Sequence, residues 1–310
     1  MAFAFVFPGQ GSQSVGMMAA YGESSVIRAC FDEASAALGE DLWQMVCEGP
    51  AERLALTVNT QPLMLTAGVA VFRAWCEAGG PPPALVAGHS LGEYSALVAA
   101  GAMAFADAVP LVRLRAAAMQ EAVPQGEGAM AALLGLEADQ VREVCSEASQ
   151  GEVVEAANLN APGQIVIAGK AAAVARAIEL ARARGAKRAV QLPVSAPFHC
   201  ALMRPAAEKL AARLRETAVN PPRIPVLNNV DVCCEDDPER IRDALVRQAY
   251  SPVRWIETIQ AMAPKGIEQV YECGPGKVLA GMSRRIDKGL QGGAIADADG
   301  LSQTIAAVGG

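Results

Sequence analysis

Histidine is nearly absent from this chain: His89 and His199 are the only two in 310 residues. That scarcity excludes a His-rich metal centre and leaves few places to look for an imidazole base. Cysteine occurs eight times but never as C-x-x-C, and Cys233 and Cys234 are adjacent, an awkward geometry for bridging one another. Neither a disulfide scaffold nor a Cys/His zinc site is expected, and the thiols read as reduced and mostly buried. Basic residues are outnumbered, 26 Lys and Arg against 33 Asp and Glu, for a net charge of −7. Nucleic-acid binders gain affinity by neutralising phosphates, so no nucleic-acid partner is expected. Long apolar runs are missing too. The longest, 96–106, contains Gly101 and falls well short of the roughly 20 residues that span a bilayer. The apolar stretch at 3–7 has no basic flank and meets Pro8-Gly9, which suits a strand and turn better than a secretion signal. A soluble cytoplasmic protein with no membrane partner is expected.

What remains is an apolar chain, 52% hydrophobic and 19% charged, able to bury a sizeable core. Its length suits one generous α/β domain carrying a small inserted one. Apolar or mixed runs at 3–7, 84–87, 224–227 and 268–272 are each soon followed by Gly, Pro or Asn. Helical periodicity runs through 61–78, 91–100, 105–122, 201–217 and 238–249. Strands spaced by helices predict a mostly parallel sheet covered on both faces, with its site at the carboxyl ends of the strands.

The middle of the chain reads differently. Strand 130–135, helix 138–148, strand 153–158, turn 160–163, strand 164–169, helix 171–184 and strand 187–193 follow in order. That β-α-β-β-α-β succession is the ferredoxin-like unit. The expected fold class is therefore α/β. A larger α/β-hydrolase-like domain, discontinuous over 1–125 and 197–310, carries a ferredoxin-like subdomain at 126–196. A substrate would sit in the cleft between them.

Gly88-His89-Ser90-Leu91-Gly92 is a G-x-S-x-G sequence. With 29 Gly and 13 Ser in the chain, about 0.1 such matches arise by chance, so the context has to decide. It follows the apolar strand 84–87 and opens a helix-forming run, the strand–turn–helix a nucleophile elbow requires. The blander alternative is an N-cap serine between packing glycines. A serine hydroxyl needs a base. His89 adjoins Ser90 but points elsewhere at such an elbow, which leaves His199, just where the inserted unit returns to the main domain. Asp231, Asp236 and Asp237 follow His199, but none has a context that marks it as a triad acid, so a backbone or amide oxygen is an alternative. Pro8-Gly9-Gln10-Gly11-Ser12-Gln13 is neither a dinucleotide fingerprint nor a P-loop. At the same sheet end as Ser90, a backbone N–H there and that of Leu91 would suit an oxyanion hole. Arg113 and Arg115 lie two apart on one predicted helix, so only one can face inward to hold a carboxylate.

Together these blocks resemble the bacterial malonyl-CoA:acyl carrier protein transacylase family. The resemblance is collinear: F-x-F-P-G-Q-G-S-Q, T-Q-P at 60–62, G-H-S-L-G-E-Y, V-R-L-R with M-Q-E-A-V-P, N-A-P-G-Q at 160–164, A-P-F-H, N-N-V-D at 228–231 and G-P-G-K-V-L at 274–279. It implies that Ser90 is the acylated nucleophile and His199 its general base and acid. Backbone N–H groups of Gln10 and Leu91 become the oxyanion hole, Arg115 the carboxylate binder, and Gln248 the residue whose carbonyl orients the histidine. Gln61 becomes a pocket residue, and Phe198 marks the malonyl-selecting form of its motif. The implied substrates are the thioesters of coenzyme A and phosphopantetheine, with no further cofactor or metal. The implied partners are malonyl-CoA and acyl carrier protein, and the expected state is a monomer. Lys187/Arg188 and Arg284/Arg285/Lys288 are candidate docking clusters for an acidic carrier. Three alternatives stand beside this reading: a same-fold acyltransferase serving malonate decarboxylase or a polyketide synthase, a serine thioesterase or esterase, and a carrier-binding module with a vestigial elbow.

Overall fold

The computed structural model describes residues 2–309. Among them are nine strands: β1 (Ala2–Phe7), β2 (Leu85–Gly88), β3 (Gly128–Leu134), β4 (Val154–Ala161), β5 (Gln164–Lys170), β6 (Arg188–Gln191), β7 (Val226–Leu227), β8 (Ile267–Cys273) and β9 (Gln291–Ile295). The larger sheet has the order β7-β2-β1-β8-β9, and every neighbouring pair is parallel. β1 lies at its centre, which is why its sequence is apolar on both faces. Phe3, Phe5 and Phe7 point into one core, where the Phe5 ring meets Trp75 edge-on at 5.0 Å. Ala4 and Val6 point into the opposite core with Trp255, Ile259 and Met282. Helices Ser25–Leu38, Thr57–Glu77 and Phe105–Glu121 pack together on the phenylalanine side.

The second sheet, β4-β5-β3-β6, is wholly antiparallel. With helices Ala138–Ser149 and Ala171–Ala183 it forms the ferredoxin-like unit, closed around its own core of Leu133, Val144, Ile167 and Val174. The fold class expected from the sequence is the fold the chain adopts. A loop of the larger domain meets β4 at Val253. Leu159 N–H donates to Val253 O at 2.9 Å, and Val253 N–H donates to Ala157 O at 2.9 Å. Pairing with β5 carries β4 on to Ala161, opposite Gln164, and shortens the expected 160–163 turn to Pro162-Gly163.

Several elements went unread in the sequence: the helix Ser25–Leu38, the helix Val278–Ile286, and the closing pair of β9 with helix Ala298–Val308. β9 reads Gln-Gly-Gly-Ala-Ile, with little to mark it as a strand. A Cβ on Gly292 would lie 1.9 Å from Val270 O, so the neighbouring backbone leaves no room for a side chain there. The thiols also differ from expectation. Four are buried (Cys30, Cys145, Cys200 and Cys273), but Cys47, Cys76 and Cys234 are exposed, the first two on solvent-facing turns of their helices. No described helix is long and apolar enough to cross a membrane.

Candidate active site

Loops at 8–10 after β1, 89–91 after β2, 228–229 after β7 and 274–276 after β8 leave the sheet at one edge, the carboxyl ends of parallel strands. The sharpest is the turn from β2 into helix Gly92–Ala99. Its two glycines are required by contact. A Cβ on Gly88 would lie 1.9 Å from the carbonyl carbon of Gly92, and one on Gly92 would lie 2.0 Å from Phe7 O. Between them Ser90 adopts φ 52°, left-handed backbone that a non-glycine residue rarely takes. The turn lifts the serine hydroxyl into a cleft of about 460 Å³ between the two sheets.

His199 meets Ser90 there. Its Nε2 lies 2.6 Å from Ser90 Oγ, and its Nδ1 lies 2.9 Å from the backbone oxygen of Gln248. A carbonyl only accepts, so Nδ1 carries the proton and Nε2 presents its lone pair to the serine. Burial, then the nearby Arg115 charge, pushes the His199 pKa down to about 3, so the imidazole is neutral at ordinary pH. The aspartates that might have completed a triad are occupied elsewhere. Asp231 takes a two-pronged bond from Arg247 at 2.8 and 2.6 Å. Asp237 caps helix Pro238–Gln248, and Asp236 is exposed. His89 turns away from Ser90, bonding Asn160 on β4 at 2.8 Å and packing edge-on against Trp255.

The helix Phe105–Glu121 separates its two arginines as their spacing predicts. Arg113 is held outside by Glu40 at 3.0 and 2.8 Å. Arg115 points inward and is 2% exposed. Its Nη1 donates to Gln61 Oε1 at 2.8 Å, and its Nη2 donates to Gln248 Oε1 at 2.9 Å and to Ser90 Oγ at 3.2 Å. The guanidinium sits 5.3 Å from the centre of the Tyr94 ring. Its partners are two amides and a hydroxyl. Among the described residues no carboxylate contacts it.

The loop carrying Gln10 lies directly against the elbow, since a Cβ on Gly9 would come within 2.5 Å of His89 O. Gln10 Nε2 donates to Thr57 Oγ1 at 3.3 Å, and that hydroxyl bonds Ser195 Oγ at 3.0 Å, four residues before His199. Among the described residues, no acceptor takes the N–H of Gln10 or of Leu91. Gln10, Leu91, Gln61 and Phe198 all line the cleft with Ser90, His199 and Arg115. Gln248 does not. It is fully buried behind the other three and reaches each of them.

Two residues of the site were not singled out from the sequence. Asn229 Oδ1 accepts the Ser90 N–H at 2.8 Å while its Nδ2 donates to Gly88 O at 2.8 Å, so one side chain clamps the elbow on both sides. Glu93, 2% exposed, accepts from Asn229 N at 2.9 Å and from Gln248 Nε2 at 3.0 Å, both through Oε2. A glutamate in the first turn of a mostly apolar helix was the available signal.

This fold and its site are those of an acyl transferase, and the acyl transferase domain family matches residues 4–291. The malonyl CoA-acyl carrier protein transacylase of Escherichia coli strain K12 is 54% identical over 98% of both chains. A crystal structure of an acyl-carrier-protein S-malonyltransferase from Burkholderia pseudomallei 1710b superposes with a TM-score of 0.97 at 58% identity, covering 99% of this chain and 100% of that one. Another neighbour is a malonyl-transacylase solved in complex with its type II PKS acyl-carrier protein, with a TM-score of 0.98 at 50% identity, over 99% and 100% of the two chains. The chain belongs to the malonyl CoA-acyl carrier protein transacylase family.

Proposed function

We propose that this protein moves a malonyl group from malonyl-CoA to the phosphopantetheine thiol of an acyl carrier protein, supplying malonyl thioester for fatty acid synthesis. The observation that carries this reading is Arg115, a buried cation beside the nucleophile with no carboxylate of its own. A buried charge is costly unless it is paired, so a site built around one selects an acyl group that brings the partner.

The transfer follows from the geometry. His199 Nε2 accepts the Ser90 proton as Oγ attacks the thioester carbonyl, and the imidazolium that forms keeps its Nδ1–H on Gln248 O. Negative charge then grows on the former carbonyl oxygen, where the free N–H groups of Gln10 and Leu91 would receive it. Collapse expels the coenzyme A thiolate, which takes its proton from His199. The carrier's phosphopantetheine thiol then enters, loses its proton to His199 and attacks the Ser90 ester; collapse breaks the acyl–Oγ bond, leaves the malonyl group on sulfur and returns the proton from His199 to Ser90. The thioester carries all the activation the exchange needs, so no cofactor is drawn on. Every one of these groups comes from one chain, so the site is complete in a monomer, the state proposed here, and the cytoplasm is the proposed location. The division at 125/126 and 196/197 places the substrate cleft on the seam between the two domains.

For the carrier, the two basic clusters named above converge. Arg285 donates to Pro162 O and Gln164 Oε1 on the β4–β5 turn, and Lys187 packs against Gly135, itself bonded to Gly163 of that turn. Lys187, Arg188, Arg284, Arg285 and Lys288 are all exposed, giving a local basic face on an acidic protein.

The test is intact-protein mass spectrometry after brief mixing with malonyl-CoA. One malonyl adduct is expected on the wild type, none on Ser90→Ala, with discharge on adding holo acyl carrier protein. An adduct that decays equally fast without carrier would make the protein a hydrolase, and the absence of any adduct would overturn the enzyme reading.

A further inference from the structure

Glu93 and Arg115 are the two charged side chains buried closest about the nucleophile, and they do not touch. One amide separates them. Gln248 Oε1 accepts from Arg115 Nη2 at 2.9 Å, and Gln248 Nε2 donates to Glu93 Oε2 at 3.0 Å. Both contacts use the amide in its only sensible orientation, oxygen toward the cation and nitrogen toward the anion. The same Nε2 donates to Ser90 O at 3.0 Å, and the Gln248 backbone oxygen holds His199. We infer that Glu93 is a positioning residue that acts through Gln248, serving as counter-charge to Arg115 at one amide's remove.

The separation is what the chemistry needs. A carboxylate in direct contact with Arg115 would occupy the guanidinium and compete with the acyl carboxylate. A buried arginine with no counter-charge at all would be expensive to hold charged. With an amide interposed, the Glu93 carboxylate supplies the negative charge from one residue away, and the guanidinium edge is left for substrate. Glu93 Oε2 accepts only N–H donors, from Asn229 and Gln248, which favours its ionised form. Burial works against this, lifting its pKa to about 7, so the bridge is tested at pH 8, where the carboxylate dominates.

This inference rests on the malonyl reading of the cleft, and the experiment keeps the two apart. Single-turnover loading of Ser90 is measured with malonyl-CoA and with acetyl-CoA for the wild type, E93Q, R115A and the double variant. Glu93→Gln keeps an oxygen for both donors and removes only the charge. It should cut malonyl loading about tenfold or more and acetyl loading less than about twofold, with no additional loss of malonyl loading when placed on R115A. Equal losses with both donors, or losses that add in the double variant, would reduce Glu93 to a prop for the elbow. A second measurement does not depend on activity. If the two charges balance one another, E93Q/R115Q melts above the less stable of its two parent variants, even where E93Q alone folds poorly. A double variant no more stable than that parent overturns the pairing. Failure of the wild type to load malonyl would instead count against the function, whatever the melts show.

Discussion

Asn229→Ala should damage the protein twice, and the structure sets the scale. The Asn229 side chain is fully buried and makes two bonds, one from the Ser90 N–H and one to Gly88 O, both at 2.8 Å. Removing it orphans a donor and an acceptor in the tightest turn of the molecule. Each orphaned group costs about 1–3 kcal/mol, so the variant should lose about 2–6 kcal/mol of stability. In a chain of 310 residues that is a fall in Tm of at least about 3 °C. The Ser90 N–H then has no partner holding φ at 52°, and with only the bonds to its carbonyl and hydroxyl left, relaxation toward ordinary backbone would carry Oγ away from His199 Nε2. Reaction of Ser90 with a fluorophosphonate should slow about tenfold or more at a temperature where the variant is still folded. Asn229→Asp separates the two effects. It keeps an acceptor for the Ser90 N–H but loses the bond to Gly88 O and sets a second carboxylate beside Glu93. A variant to Ala that melts within 1 or 2 degrees of the wild type, or labels at its rate, would refute the clamp.

Other outcomes follow from the same geometry. Arg115→Ala should lower malonyl loading about tenfold or more relative to acetyl, since a charge-assisted bond is worth about 1.5–3 kcal/mol. Equal losses with the two donors would remove Arg115 from recognition. His199 is held down to about pKa 3, and a base works when unprotonated, so fluorophosphonate labelling should stay near its plateau at pH 5. A half-maximal rate near pH 6.5, the ordinary histidine value, would contradict that burial effect. Reversing Arg284, Arg285 and Lys288 to Glu should raise KM for the carrier protein and leave loading from malonyl-CoA intact. An unchanged KM would clear that face of a docking role.

Legibility followed the physics of local pattern. The buried strands β1 and β2 and the long helices announce themselves through unbroken or 3.6-period apolar runs. The ferredoxin-like unit shows in the order of its elements. Ser90 was legible because glycines at fixed offsets leave few other uses for such a turn, and His199 because only two histidines exist to choose from. Choosing Arg115 over Arg113 took the resemblance, as no local feature separates two arginines on one helix until Glu40 claims the other. Asn229 and Glu93 escaped because what they do depends on partners 136 to 155 residues away in the chain, and no local window holds that information. β9 escaped because Gly292 answers to the backbone of β8 rather than to any propensity of its own.

Ser90 and His199 are two of only four non-glycine residues with left-handed backbone among those described, His199 at φ 60°. Glycine would sit more comfortably at both places, by about 1 kcal/mol or more each. Backbone comfort therefore pulls against the proposed nucleophile and its proposed base at these two positions. At His199 that strain is held in place by a buried imidazole whose loss would open a cavity and orphan the Gln248 oxygen, so the backbone there cannot relax without unpacking the site.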